Sequence, residues 1–318
     1  MNCIRRIVCG LLLVACGYAG AQNFPDKPIR VLVPFAAGSG TDILARIVTE
    51  EMRATMGANF VIDNRAGASG QIAAELVAKA NPDGYTLFLS TNTPHSVNPF
   101  VFKKINYDPV KDYAAVARMI YFVFILVVNP NSGIKTVPDL IAHIKANPGK
   151  TSYAYGNGSG QVNSAYLVGA AKLDSLPVPY KSTPPAMTDL IAGQVQWMFV
   201  DGASSQGHVK SGRLRAIAVM SDKRSDIFPD LPAVGETVPG FDTVPWAGMF
   251  APAGTPKAVI NRLNAEIVKA INKPAVNQKL ADIGLQPGPS TPEELDLYVK
   301  AQLAAWGKKI KDAGIQPE

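Results

Sequence analysis

The first half of the chain alternates short apolar runs with segments in which apolar residues recur every three or four positions. The run 29–33 is rich in β-branched residues, as buried strands are, and a turn with two glycines follows it. Residues 43–52 then place apolar side chains at helical spacing. The same order recurs over 59–80 and begins again with the strand-like run 85–90. Since strands that alternate with helices form βαβ units, the pattern predicts a mostly parallel sheet.

A second α/β region is predicted beyond the unbroken apolar run 121–128, which is too short to span a membrane as a helix. Strands and helices alternate again there, and a second apolar run near 245–252 leads the chain back. The segment 292–313 predicts an amphipathic helix that returns to the first region. We therefore expect an α/β protein of two lobes, joined by two crossing strands that form a hinge around a ligand cleft. The expected lobes are residues 22–123 with 246–318, and residues 124–245.

Residues 1–21 have the pattern of a secretory signal peptide. Arg5 and Arg6 precede an apolar segment, and Ala19-Gly20-Ala21 offers small residues for cleavage. The alternative is a lipoprotein signal, because Leu13-Val14-Ala15-Cys16 resembles a lipobox, whose cysteine is lipidated. Both interpretations predict export to a bacterial periplasm.

Composition excludes several kinds of chemistry for the exported chain. All three cysteines lie in residues 1–21, so the mature protein would have no disulfide, thiol nucleophile or cysteine metal site. Removing that segment, which holds two arginines and no acid, lowers the formal charge from +6 to +4. No arginine-rich run is present, so nucleic acid is not an expected partner. A mild positive charge is compatible with an anionic ligand.

No pattern in the sequence identifies an enzyme. Residues 38–43 match only the first two glycines of the dinucleotide fingerprint, and no P-loop lysine follows. The serine within 156–160 is wrongly placed for a nucleophile elbow. None of the three histidines has a neighbour at metal-ligand spacing. We therefore expect no catalytic residue, metal or cofactor; an exported hydrolase that uses Ser39 or Ser159 is the enzymatic alternative.

What remains is a binding protein. Three turns rich in glycine or serine, within residues 36–42, 65–70 and 156–161, each follow a strand and precede a helix. A helix N-terminus presents unpaired N–H groups and the positive end of the helix dipole. The polar loop 91–98 also follows a strand, at the edge where α/β sheets bind ligands. The pattern predicts several helix N-termini around one interlobe cleft that closes on a small anion.

Four segments resemble the Bug (TctC-like) family, the periplasmic solute-binding proteins of tripartite tricarboxylate transporters. They are FPDKPIRVLVPFAAGSGTDILAR (24–46), NRAGASGQIAAELVAKANPDGYTL (64–87), VPYKSTPPAMTDLIAGQVQWMF (178–199) and GMFAPAGTPKAVINRLNAEI (248–267). The resemblance implies a type II periplasmic-binding fold, no enzyme activity and a small carboxylate ligand. It implies that loop 34–42 holds a ligand carboxylate, partly through backbone groups and ordered water. Loops 91–98, 156–161 and 180–183 would complete the pocket.

Two departures from the family pattern affect the pocket wall. Gly38-Ser39 stands where the family has a glycine pair, and Ser182-Thr183-Pro184-Pro185 replaces a segment of glycine and alanine. The ligand is therefore left open as a dicarboxylate, an amino acid or an aromatic acid. The resemblance implies delivery to the permease subunits of a transporter, and the alternative is a co-receptor that docks on a sensor kinase. We expect a monomer.

The candidate ligand-binding residues follow from these loops. We expect one ligand carboxylate against the N–H groups of residues 36–40 and the other end against Asn157, Ser159, Gln161 and Lys181. Two acids and one histidine have open roles: Asp42 caps its own helix or meets the ligand, Asp201 faces a ligand ammonium or hydroxyl group or lies in solvent, and His95 lines the cleft or packs. The full set is Phe35, Ala36, Ala37, Gly38, Ser39, Gly40, Asp42, Thr91, Asn92, Thr93, His95, Asn98, Gly156, Asn157, Ser159, Gly160, Gln161, Tyr180, Lys181, Ser182 and Asp201.

Overall fold

The computed structural model describes residues 24–318, so the predicted signal peptide and Cys16 lie outside the described residues. The strands are β1 (Ile29–Val33), β2 (Phe60–Asn64), β3 (Thr86–Thr91), β4 (Tyr113–Phe122), β5 (Phe124–Val128), β6 (Thr151–Tyr155), β7 (Ser175–Pro179), β8 (Trp197–Asp201), β9 (Arg215–Val219), β10 (Trp246–Pro252) and β11 (Leu285–Pro287). The α-helices are α1 (Gly40–Met56), α2 (Gln71–Ala78), α3 (Asn98–Val101), α4 (Val137–Ala146), α5 (Gly158–Ala170), α6 (Thr183–Ile191), α7 (Gly202–Lys210), α8 (Lys257–Asn272), α9 (Pro274–Ala281) and α10 (Pro292–Asp312).

These elements form two mixed sheets, one in each lobe. The first has the strand order β11-β4-β10-β3-β1-β2 and the second β7-β6-β8-β5-β9. The strands β1, β2 and β3 pair in parallel, as do β6, β7 and β8, which confirms the predicted βαβ units. The strands β10 and β5 pair antiparallel with their neighbours. The chain enters each of these strands from the other lobe, so that β10 begins beside the end of β3 and β5 begins beside the end of β8. Strands β10 and β5 therefore run in the direction opposite to β3 and β8.

The chain crosses between the sheets twice. Val123 alone separates β4 from β5, and its N–H donates to the carbonyl of Gly284 at 2.9 Å. Its own carbonyl accepts from the N–H of Gly202 at 3.0 Å. The second crossing ends at Pro245, whose carbonyl accepts from the N–H of Phe122 at 2.8 Å. The two crossings are thus hydrogen-bonded to each other and to both lobes.

Each lobe packs its helices on a buried apolar sheet. In the first lobe, β1 is buried from Val31 to Val33, and α1 covers it with Leu44 and Val48. Helix α1 begins at the cap residue Ser39 and ends before Gly57, which has φ of 64° and needs the freedom of glycine. In the second lobe, β8 buries all of its residues, including the large side chains of Trp197 and Phe199.

The C-terminal helix α10 packs on both lobes. Its Trp306 and Ile310 form an apolar cluster with Val97 and Val101 of the first lobe and with Val162 of α5. This cluster is buried only while the two lobes are together. No helix among residues 24–318 has the length and apolar content needed to cross a bilayer.

Candidate functional site

A small cavity lies between the two sheets, at the carboxyl ends of β3 and β8. Its volume is about 20 Å³. Both lobes and both crossings line it, through Phe35, Ser39, Gly40, Thr41, Thr91, Asn92, Thr93, Phe122, Phe124, Asn157, Ser159, Thr183, Asp201 and Pro245. The lining contains hydroxyl, amide and aromatic groups and a single ionisable side chain, that of Asp201.

The start of α1 forms one wall of this cavity. The Ser39 hydroxyl accepts a hydrogen bond from the N–H of Asp42 at 3.3 Å, as a helix cap does. The Asp42 carboxylate accepts from the N–H of Gly38 at 3.0 Å and pairs with Arg46 at 3.0 Å. Asp42 therefore stabilises its own turn and does not line the cavity. Within the described residues, the N–H groups of Gly40 and Thr41 have no hydrogen-bond partner, so both are free for a ligand.

The starts of α5 and α6 form the opposite wall. The Asn157 side chain accepts from the N–H of Gly160 at 2.9 Å and donates to the Thr183 hydroxyl at 3.3 Å. It thereby caps α5 and ties it to the first residue of α6. Gly156 makes this approach possible, because a Cβ there would overlap the backbone of Ser182.

Direct contacts join the two walls. The Asn92 amide donates to the Ser159 hydroxyl at 2.9 Å, and the N–H of Gly158 donates to the Thr93 hydroxyl at 3.1 Å. The N–H of Ala36, one of the groups expected to face the ligand, donates to the Ser182 hydroxyl at 3.1 Å. These bonds join a loop of the first lobe to a helix start of the second.

Asp201 lies at the junction between the lobes and is 4% exposed. It caps α7, since its Oδ1 accepts from the N–H of Ser204 at 2.8 Å. Its carboxylate touches Gly40 at the start of α1, and a methyl group on Gly40 would overlap it. Burial raises the pKa of Asp201 because it removes water from the carboxylate, and the hydrogen bonds from Ser204 oppose that rise.

The structure corrects the idea that His95 lines the cleft. The chain after β3 coils as a π-helical turn over Thr93–Val97, which carries the imidazole into the core. The ring is fully buried and stacks on Phe250 with centroids 4.1 Å apart. Its Nδ1 lies 2.7 Å from the carbonyl of Pro109, which only accepts, so Nδ1 carries the proton. Burial lowers the pKa of His95 to about 4, and the ring is neutral at physiological pH.

Asn98 is a second correction. Its amide donates to the carbonyl of Ser69 at 3.0 Å and to the Tyr107 hydroxyl at 3.1 Å. The side chain is fully buried and does not line the cavity. Asn98 therefore holds the turn after β2 against the loop after β3.

Several other predicted residues surround the cavity without lining it. Lys181 is exposed, Gln161 is half-buried, and the Tyr180 hydroxyl donates to Asp189 at 2.6 Å. The predicted residues that the structure brings together at the cavity are Phe35, Ser39, Gly40, Thr91, Asn92, Thr93, Asn157, Ser159 and Asp201. Those outside its lining are Ala36, Ala37, Gly38, Asp42, His95, Asn98, Gly156, Gly160, Gln161, Tyr180, Lys181 and Ser182.

Five lining residues are absent from the predicted set, although two of them, Thr41 and Thr183, lie in the loops 34–42 and 180–183 that the resemblance implied. Thr41 and Thr183 are the second and first residues of α1 and α6, next to residues that were named. Phe122, Phe124 and Pro245 stand at the two crossings. The sequence could have indicated these three residues, because residues at a hinge between two lobes also form the floor of the cleft that the hinge closes.

A larger open groove of about 420 Å³ lies next to the crossings and shares Phe122, Phe124 and Pro245 with the cavity. Its rim carries Lys223 and Arg224, and no helix N-terminus lines it. Among residues 24–318, no group of three or more histidine, cysteine or acidic side chains could hold a metal ion. The cavity at the helix starts is therefore the better candidate for an anion site.

Comparison with known proteins gives a family. The sequence matches TctC, the tripartite tricarboxylate transporter family receptor, over residues 44–315. It is 31% identical to the protein BugT of Bordetella pertussis over 323 aligned positions, which cover 99% of each chain. It is 35% identical to a protein encoded in the tcbD-tcbE intergenic region of Pseudomonas sp. strain P51, over 96% of this chain and 93% of that one.

Solved structures agree with this match. The R. palustris protein Rpa4515 with adipate is 32% identical, with a TM-score of 0.90 over 93% of this chain and 100% of that one. MatC of Rhodopseudomonas palustris with bound malate is 30% identical, with a TM-score of 0.85 over 90% and 100%. The periplasmic binding protein BugD is 32% identical, with a TM-score of 0.88 over 93% and 100%. The predicted two-lobe periplasmic-binding fold is thereby confirmed, and the chain belongs to the TctC (Bug) family of periplasmic solute-binding receptors, which are not enzymes.

Proposed function

We propose that this chain captures a small carboxylate between its lobes and delivers it to the permease of a tripartite tricarboxylate-type transporter. The observation that carries the proposal is the meeting of four helix starts, those of α1, α5, α6 and α7, at one interlobe cavity. Each start brings the positive end of a helix dipole, which stabilises a carboxylate without a cationic side chain, and the start of α1 adds the free N–H groups of Gly40 and Thr41. Two structural relatives are described with the dicarboxylates adipate and malate.

The cavity offers donors to both ends of such a ligand. The free N–H groups of Gly40 and Thr41 lie on the side of the first lobe. The Thr183 hydroxyl lies on the side of the second lobe, where it accepts from Asn157 and keeps its own proton for the ligand. Phe122 and Phe124, at the crossing, cover the space between and exclude water from the carbon chain of the ligand.

Ligand entry requires the lobes to part. A cavity of about 20 Å³ holds little more than a water molecule, whereas small-molecule sites take roughly 300 Å³ or more. Rotation about Val123 and Pro245 would separate the hydrogen-bonded pairs Asn92–Ser159 and Thr93–Gly158 and widen the cleft. Closure then re-forms contacts between the two walls around the ligand, with the cavity enlarged to hold it.

Calorimetric titration of the mature protein tests the capture step. We expect at least one of adipate, malate and succinate to bind at one site per chain and to raise the melting temperature. A ligand at 100 times its Kd stabilises the folded state by about 2.7 kcal/mol. The variant Thr183→Val removes one lining hydroxyl, and Thr188→Val, an exposed threonine of the same helix, is its control. If no small carboxylate binds, or if both variants bind equally well, the proposed site is wrong.

Uptake by cells tests the delivery step. We expect a deletion strain to lose uptake of the radiolabelled ligand and to recover it with the wild-type gene but not with the binding-deficient Gly40→Ala variant. The signalling alternative predicts a different result, in which uptake persists and the ligand-induced transcriptional response is lost.

A further inference from the structure

Among residues 24–318, Asp201 is the only ionisable side chain in the lining of the cavity. A doubly charged ligand held at the starts of α1 and α5 brings negative charge to this buried carboxylate, and no lysine, arginine or histidine of the described residues lines the cavity to balance it. Two carboxylates that share a water-poor site cannot both remain ionised without a large cost. The helix starts stabilise the carboxylates of the ligand, and a proton on Asp201 would remove the repulsion that remains.

The contacts of Asp201 show how a proton would be accommodated. Its Oδ1 accepts the N–H of Ser204 and remains an acceptor in either protonation state. This leaves Oδ2 as the oxygen available to a ligand. A proton on Oδ2 turns the carboxyl group into a donor, like the Thr183 hydroxyl in the same lining. The free carboxyl group is already predisposed to this step, since burial raises its pKa.

We propose that Asp201 takes up one proton from solvent when the lobes close on a dicarboxylate and then donates a hydrogen bond from Oδ2 to the ligand. The proton adds to the Asp201 carboxylate, and no covalent bond of the ligand changes. Asp201 thereby makes capture dependent on pH and selects a ligand whose carboxylate meets it. This inference rests on the proposed capture of a carboxylate.

Two features of the surroundings indicate that Asp201, and not a neighbouring titratable group, takes up the proton. The carboxyl group is packed between Gly40 of α1 and the first turn of α7, neither of which carries a titratable side chain against it. Asp42 lies in the same turn as Gly40 but is paired with Arg46, outside the cavity lining. His208, at the far end of α7, does not line the cavity, and burial lowers its pKa, so it is neutral above pH 7.

Calorimetry in buffers of different ionisation enthalpy measures the proton directly. Adipate, malate and succinate are titrated above pH 7, where both carboxylates of each are ionised. We expect the binding enthalpy to vary with the buffer in proportion to the uptake of close to one proton, and Kd to rise up to tenfold per pH unit. Asp201→Asn keeps the acceptor for Ser204 and mimics the protonated group, so its binding should persist without proton uptake or dependence on pH. Asp230→Asn, at an exposed aspartate outside the cavity, should behave as wild type.

The outcomes separate this inference from the proposed function. Binding of a dicarboxylate with no proton uptake by the wild type would overturn the role of Asp201 and leave capture intact. Equal proton uptake by wild type and Asp201→Asn would assign the proton to another group and would also overturn it. Tight binding of an amino acid and no binding of dicarboxylates would show that a ligand ammonium group supplies the positive charge. If no carboxylate of any kind binds, the proposed function itself fails.

Discussion

The side chain of Asn92, at the end of a strand in one lobe, donates a 2.9 Å hydrogen bond to the hydroxyl of Ser159, in the first turn of a helix in the other. The hydroxyl donates in return to the Asn92 carbonyl oxygen at 3.3 Å. Both side chains are buried and line the cavity. The pair therefore belongs to the closed arrangement of the lobes, and its loss should weaken closure.

Replacing Asn92 with alanine should weaken ligand binding. The closed state loses a buried hydrogen-bonded pair, and each such bond contributes about 1 kcal/mol, so we expect Kd to rise roughly five- to tenfold. Asn106→Ala, at an exposed asparagine that donates to Glu75, is the matched control and should bind as wild type. Calorimetric titration of both variants with adipate, malate and succinate measures the change. An unchanged Kd in Asn92→Ala would show that the bond does not contribute to closure on the ligand.

Gly40→Ala should prevent full closure without unfolding either lobe. A methyl group at this position overlaps the Asp201 carboxylate across the cleft, whereas alanine suits the first turn of α1. Overpacking costs roughly 1–3 kcal/mol, which corresponds to a loss of affinity of about 5- to 150-fold. Gly169→Ala in α5, where the methyl group meets nothing within 4 Å, is the control. Small-angle scattering should show ligand-induced compaction in the control only, and compaction of Gly40→Ala would contradict the prediction.

Lys309 should stabilise the closed arrangement through its ammonium group. Its Nζ donates to the carbonyl of Gly240 and lies 3.3 Å from the ring centroid of Tyr166, which belongs to the other lobe. Lys309→Met keeps the apolar stem and removes these contacts, so we expect the free energy of unfolding to fall by about 1–2 kcal/mol. Lys308→Met, at a neighbour that is 79% exposed and paired only with Asp312, should change it by less than about 0.5 kcal/mol. Equal effects of the two variants in urea unfolding would argue against a specific role for Lys309.

The buried imidazole of His95 should make stability fall as the pH is lowered. The pKa of the folded state is about 4. The pKa of the unfolded state is about 6.5, so between these values the unfolded chain binds the extra proton. Stability should therefore be full above pH 6.5 and decline towards pH 4, with a loss of about 2 kcal/mol between pH 7 and pH 5.

Urea unfolding of wild type and His95→Gln at both pH values checks this. The variant should be less stable at pH 7, because a buried packing position is disturbed, but it should lose less stability than wild type at pH 5. His208→Gln, at a half-exposed histidine, should keep most of the wild-type decline. A decline in His95→Gln as large as that of wild type would assign the pH dependence to other groups.

The sequence alone was enough to predict the architecture and the position of helix starts beside the interlobe cavity. Apolar runs such as 29–33 and 121–128, and turns rich in glycine or serine such as 36–42 and 156–161, are local signals, because period and turn chemistry depend on residues a few positions apart. They predicted two α/β lobes with helix starts at the cleft. The family resemblance, confirmed by the comparisons, rests on the same segments.

Only the tertiary structure decided which polar groups meet at the cavity. His95 and Asn92 stand in one short polar loop, yet a π-helical turn sends the first into an aromatic core and leaves the second at the cavity. Asp201 and Gly40 are far apart in the chain, and their contact exists only because one lobe folds against the other. Direction and burial of a side chain depend on long-range packing, which no local pattern records.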